Sequence, residues 1–220
     1  MLDRIIEILP ELNVAFLETL TMVGIGLLVA IILGLPIGIL LFVTDQGLFL
    51  ENRVIKIVLG IVINLIRSIP FIILLVFLFP FTDWLLGKTT GPFAASVALS
   101  VAAIPFYARI VESAARDIDK GVIEAAIAVG ASPWLIIKDI ILPEVKSGLV
   151  SGLTITAISL VGYSAMAGTI GGGGIGDLAI RYGYYRYDNT VMFTTVVVLI
   201  VLVQVMQYLG DFIAKAVNKR

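Results

Sequence analysis

Three places in this chain have residue types and spacing that could do chemistry. Gly87-Lys88-Thr89 has the ending of a phosphate-binding loop, in which backbone amides and a lysine cradle a nucleotide, but the glycine required upstream is Thr82. Gly171-x-Gly173-x-x-Gly176 has the spacing of a dinucleotide fingerprint, yet it follows a long apolar run instead of a strand, and no βαβ unit surrounds it. Neither is read as a nucleotide site. The third place is a polar island: Glu124-Ala125-Ala126, then Gly130, then Ile140-x-Leu142-Pro143. A loop that carries two short helices with a fixed glycine between them reads as a surface for gripping a partner.

Other chemistry is excluded by composition. The 220 residues contain no Cys and no His, which removes thiols, disulfides, imidazole proton transfer and nearly all metal sites with nitrogen or sulfur ligands. An intramembrane hydrolase would want a serine with a base, or two aspartates inside apolar segments. The apolar segments hold no carboxylate except Glu18 and Asp211 at their margins, which disfavours that class. A net charge of −1 and the lack of a basic run argue against nucleic-acid binding.

The elements that must position the island are membrane helices. The chain is 60% hydrophobic and 14% charged, with a mean hydropathy of +1.09, so it is read as an all-α integral membrane protein. A span needs about 20 apolar residues. Five are assigned, at residues 19–43, 57–79, 92–110, 148–169 and 191–212. Met1-Leu2-Asp3-Arg4 does not open a secretory signal. Residues 2–12 mix apolar and charged types at helical spacing up to Pro10, which predicts a short helix lying at the interface. Residues 1–16 are accordingly set apart from a membrane domain over 17–209 and a tail over 210–220.

Loop charges orient the bundle. With the loop between spans three and four inside, Arg53, Lys56, Arg109, Arg116, Lys120, Lys138, Lys146, Lys215, Lys219 and Arg220 are cytoplasmic, ten cations against four outside (Arg4, Lys88, Arg181, Arg186). That predicts the N-terminus out and the C-terminus in. Gly34-x-x-x-Gly38 and Gly148-x-x-x-Gly152 have the small-residue spacing that lets helices approach, either within the chain or across a dimer.

Residues 112–146 form the inside loop that carries the island. Asp117 or Asp119 can cap a first helix that runs to about Val129, and Gly130 suits the left-handed residue that ends it. Ser132-Pro133 starts a second helix, and Pro143 stops or kinks it. Two short helices meeting at a glycine turn make a compact knob, and Ala125 and Ala126 keep its surface free of bulk.

This pattern, with three residues before Gly130 and nine after it, resembles the EAA loop of ABC-type importer permeases. The likeness extends from about Leu17 to Leu209. It implies a type I ABC importer permease fold, and a loop that docks into a cleft of an ATP-binding subunit. In that reading Glu124, Ala125, Ala126 and Gly130 make the contact, while Ile140, Leu142 and Pro143 anchor it. ATP hydrolysis then belongs to a separate polypeptide, and no cofactor is expected on this chain. The strings R-S-I-P-F-I-I-L-L-V from Arg67 and L-V-G-Y-S-A-M-A-G-T-I-G-G-G-G-I-G-D from Leu160 resemble the methionine-uptake permeases, a group of five-span proteins. The resemblance implies a homodimer with two ATP-binding subunits, fed by an external substrate-binding lipoprotein, in the bacterial cytoplasmic membrane and in contact with its lipid. Its cargo would be methionine, the L form and with it the D form, with another small polar metabolite or amino acid as the alternative.

Candidates for the translocation path come from polar groups within spans. Arg67 costs about 2.5–3.5 kcal/mol at a helix centre on insertion scales, and such a residue usually faces a partner, an aqueous cavity, the interface or, here, carbonyls freed by Pro70. Ser68 adjoins it. In the fourth span Ser159 and Ser164 supply hydroxyls, and Tyr163 and Met166 supply bulky adaptable groups. Such hydroxyls can equally bond back to their own helix.

Overall fold

The computed structural model describes residues 2–218, and among these every regular element is helical. The chain begins with α1 (Leu2–Val29), a π-helical turn over Ala30–Gly34, and α2 (Leu35–Val43). Together they make one rod of 41 residues from Asp3 to Val43, continuous through Pro10. At 1.5 Å per residue the rod is about 60 Å long, twice the hydrocarbon thickness, so much of it tilts or projects beyond the apolar layer. The π turn has a local cause. Pro36 has no N–H to give and its ring crowds the preceding turn, and the wider turn, closed by the Leu35 N–H donating to the Ala30 carbonyl, accommodates it.

The second span differs from the single kinked helix predicted over residues 57–79. It is a pair, α3 (Arg53–Ser68) and α4 (Phe71–Phe77), bent by 101°. Pro70 drives Ile69 into an extended conformation (φ −82°, ψ 124°) and ends the first helix there. Asn52 starts α3 by accepting the Ile55 N–H at 3.0 Å. After α5 (Phe79–Leu86) comes α6 (Pro92–Arg116), the central post of the bundle. It extends six residues past the predicted end at Ile110, and its charged last turns are still helix. Among the described residues four helices are long and apolar enough to cross a membrane, and the count is five if the bent pair is taken as one span.

The loop region contains α7 (Lys120–Ala128), α8 (Pro133–Leu135), a π-helical stretch over Ile136–Ile141, and α9 (Leu142–Glu144). Then come α10 (Lys146–Gly168), α11 (Gly174–Leu178), a second π-helical stretch over Ala179–Tyr184, and α12 (Asn189–Val217). The core runs along α6, where Leu99, Tyr107 and Val111 are fully buried against Met22 of α1 and Leu160 of α10. Both glycine pairs are used inside the chain. A Cβ on Gly38 would sit 2.5 Å from the Ala108 carbonyl oxygen, and one on Gly152 would sit 2.5 Å from Ile110 Cγ2. The two motifs therefore bring α2 and α10 against α6. Lys219 and Arg220, counted above as cytoplasmic charges, lie outside the described residues.

Candidate functional site

The knob is built by local rules. Asp119 caps α7, its carboxylate accepting the Gly121 N–H at 2.8 Å. The helix ends in a Schellman turn, with the Gly130 N–H donating to the Ile127 carbonyl and the Ala131 N–H donating to the Ala126 carbonyl. Gly130 is left-handed at φ +81°. Ser132 Oγ then accepts the Leu135 N–H at 3.4 Å, and Pro133 takes the first turn of α8. Pro143 does not stop the second helix. The π-helical stretch before it absorbs the proline, and the break falls at Val145.

Glu124, Ala125 and Gly130 are exposed, and Ala126 is buried at the base of the knob. Glu124 makes no ion pair or hydrogen bond with another described residue, so its charge is free for a partner. Around these residues lies an apolar rim of Val122, Ile127, Val129 (84% exposed) and Trp134 (69% exposed). Bulky apolar groups standing out of a polar loop mark an interaction surface. Sequence reasoning missed Val129 and Trp134, although their size, on either side of Gly130, was the signal. Ile123, Ile136 and Ile141, all nearly inaccessible, fasten the knob to the bundle. Ile140 and Leu142 pack against the same core, while Pro143 is exposed.

Where α6 leads into the knob, an ion cluster ties three elements together. Glu112 is only 3% exposed and accepts from Lys56 Nζ (2.6 Å), Arg109 Nη1 (2.6 Å) and Arg116 Nη2 (3.1 Å). Asp45, in the turn after α2, accepts from Lys56 at 3.3 Å and from Arg116. Burial alone would raise the Asp45 pKa, but the Gln46 N–H and the cations Lys56 and Arg116 outweigh it and hold the carboxyl below its ordinary value. Glu112 lay beyond the predicted third span. Its spacing from Arg109 and Arg116, three and four residues, was the helical signal for it.

Two of the path candidates meet. Arg67, in the last turn of α3, is exposed and has no partner among the described residues. It lines a pocket of about 210 Å³ with Phe71, Leu74, Phe106 and Tyr163. The Phe71 and Tyr163 rings stack with centroids 4.5 Å apart. Arg67 also borders an open groove of about 420 Å³ that runs along α6 to Asp117. The hydroxyls do not join it. Ser68 Oγ donates to the Asn64 carbonyl (2.7 Å), Ser159 Oγ to Ile155 (2.9 Å) and Ser164 Oγ to Val161 (2.8 Å). Ser164 is buried in the core, and Met166 is exposed away from the Arg67 pockets.

The glycine run after α10 makes a tight reversal, with Gly171, Gly173 and Gly174 all at positive φ. Glu18 Oε2 accepts the Gly174 N–H (2.7 Å) and Thr19 Oγ1 accepts the Ile175 N–H (3.0 Å), so α1 caps the returning segment. This gives Gly171–Gly176 a structural role in place of the rejected dinucleotide reading.

Comparison with known proteins places this architecture. Residues 30–220 match the family described as binding-protein-dependent transport system inner membrane component. The chain is 47% identical over 203 residues to the probable D-methionine transport system permease protein MetI of Vibrio cholerae, covering 92% of this chain and 90% of that one. It is 45% identical over 181 residues to the methionine import system permease protein MetP of Bacillus subtilis, covering 82% of each. Among solved structures, a chain of the inward-facing MetNI methionine ABC transporter superposes with a TM-score of 0.95 at 44% identity, over 97% of this chain and 99% of that one. With a multi-pass helical bundle and a capped, exposed loop between its third and fourth spans, the chain belongs to the family of binding-protein-dependent transport system inner membrane components.

Proposed function

We propose that the chain is the permease of an ATP-driven methionine importer in the bacterial cytoplasmic membrane. It works as a homodimer with two ATP-binding subunits, which carry out the hydrolysis, and an external substrate-binding lipoprotein delivers the cargo. The observation that carries this reading is the knob, a rigidly capped elbow whose exposed face combines an unpaired carboxylate with an apolar rim. A membrane channel working alone has no use for such a surface. Glu124, Ala125 and Gly130 make the docking face with the buried Ala126 beneath them, and Ile140, Leu142 and Pro143 belong to the segment that returns it to the bundle. The loop-charge bias supports a cytoplasmic knob, with the N-terminus outside.

Arg67 and Tyr163 mark the path. An unpaired guanidinium at a break in a span cannot face lipid cheaply, so it borders an aqueous route. Methionine is zwitterionic with a soft thioether. A guanidinium attracts its carboxylate, and aromatic rings such as Phe71 and Tyr163 favour sulfur contacts. The test is reconstitution with ATP-binding and substrate-binding partners in liposomes, followed by labelled L- and D-methionine. ATP-dependent accumulation of either supports the reading. Accumulation of a different amino acid, with neither methionine form moving, overturns the substrate.

A further inference from the structure

The Glu112 cluster has a geometry that goes beyond holding a bundle together. On α3 the groups turned to it are Lys56, the Gly60 carbonyl and Asn64, four residues apart and therefore on one face. On α6 they are Arg109, Glu112 and Arg116, which also share a face. Arg109 Nη2 reaches Asn64 Oδ1 at 3.1 Å and the Gly60 carbonyl at 3.4 Å. Lys56 Nζ also donates to the Leu41 carbonyl at the end of α2 (2.9 Å).

Apolar packing alone holds α3 weakly. Ile63 is buried with Leu41 and Ala108, and Leu59 lies beside them, but Val54, Val58, Ile61 and Leu65 are all more than half exposed. The polar strip is therefore the main fastener of α3 to α6. One end of α6 passes into the knob through Asp117–Asp119, and the far end of α3 carries Arg67.

From this arrangement we infer that Glu112 is a positioning residue: it clasps the first half of the broken span to the helix that moves with the knob, so that displacement of the knob carries Arg67. The inference rests on the proposed importer function. A buried carboxylate with three cations transmits displacement because breaking it exposes unpaired charge in a place water reaches poorly. The partners Lys56, Arg109 and Arg116 come from two elements, and Asp45 links the turn after α2.

The test compares the ratio of methionine taken up to ATP hydrolysed in liposomes holding the full transporter. Glu112→Gln is expected to leave hydrolysis running while the ratio falls by about tenfold, inside the 5–150-fold range of typical coupling energies. Lys56→Met removes the one α3 group that bonds Glu112 directly and leaves Glu112 with both arginines, so it decides the matter if Glu112→Gln does not assemble. Glu112→Asp is expected to restore most of the ratio. A wild-type ratio in the first two variants, or uptake and hydrolysis falling in proportion, overturns the clasp.

A second measurement needs no substrate and so separates the clasp from the importer reading. This chain has no native cysteine, so spin labels can be placed at Val58 of α3 and Lys120 of α7. Their separation is expected to stay fixed when ATP is added to the wild-type complex and to change in Glu112→Gln. Equal behaviour in both overturns the inference even where methionine uptake is normal.

Discussion

Substituting Gly130 with alanine isolates the shape of the knob from its chemistry. Gly130 sits at φ +81°, and a Cβ added there meets nothing within 4 Å. The substitution introduces no clash and removes no side-chain contact, so its whole effect is backbone strain. For an L-residue in the left-handed region that strain is about 1–2 kcal/mol. The knob can escape it by giving up the two turn bonds, from the Gly130 N–H to Ile127 and from the Ala131 N–H to Ala126. The docking-competent shape then becomes a minor population, and apparent affinity falls by the competent fraction. A penalty of that size corresponds to roughly 5–30-fold weaker binding of the ATP-binding subunit. Gly130→Asn tolerates the left-handed region far better, and it should stay within about threefold of wild type. The assay is titration of the ATP-binding subunit onto the permease in lipid nanodiscs. If alanine binds as tightly as glycine while asparagine does too, the turn is not what the partner recognises and the mechanical role assigned to this elbow is wrong.

The remaining predictions concern packing, charge and orientation. Gly38→Ala places a Cβ 2.5 Å from the Ala108 carbonyl oxygen and should destabilise by about 1–3 kcal/mol, whereas Gly24→Ala meets nothing within 4 Å and should be neutral or slightly stabilising; paired thermal melts in detergent read the difference. Glu124→Lys reverses the one free charge on the docking face and should abolish ATP-driven uptake with membrane insertion unchanged, as judged by liposome flux and membrane fractionation. A reporter fused to the C-terminus should be active only in the cytoplasm, and a periplasmic signal would reverse the orientation drawn from loop charges. Asp45 has a lowered pKa in the folded protein, so its contribution is fully present above the unfolded value near 3.9 and is lost as pH falls through the lower folded value. The stability gap between wild type and Asp45→Asn should therefore be constant from pH 7 to 5 and close only in stronger acid.

What could be read from the chain was local. The spans follow from apolar length, and the knob follows from Asp119, Gly130 and Ser132-Pro133, each of which acts on its own neighbours within a few residues. What could not be read depends on residues far apart. Pro70 announces a disturbance, but a 101° break also needs somewhere for Phe71 to go, and that place is the face of Tyr163, 92 positions later (163 − 71). The caps on α11 come from Glu18 and Thr19, 156 residues earlier, and no short motif records that pairing. The third span looked shorter than it is because Arg109, Glu112 and Arg116 resemble loop charges one at a time. Taken together at helical spacing they are an ion cluster around a buried carboxylate, and that signal was present but outweighed by hydropathy.

The same contrast between local and distant partners sorts the path candidates. The Ser159 and Ser164 hydroxyls in α10 looked like a polar lining, yet they, like Thr154 and Thr156, each donate to a carbonyl three or four residues earlier on the same helix. A hydroxyl satisfied by its own helix is compatible with lipid, core or water, and so carries no information about where a substrate goes. A guanidinium has five donors, and no single helix can satisfy them. Arg109 shows what satisfaction requires: Glu112, Asn64 and the Gly60 carbonyl, drawn from two helices. Arg67 has none of these, although it shares an open groove with Arg109. In a bilayer a charge left unpaired by its own chain is met by a partner, by water or at the interface, and the translocation path proposed above is the reading in which water or a passing solute meets Arg67.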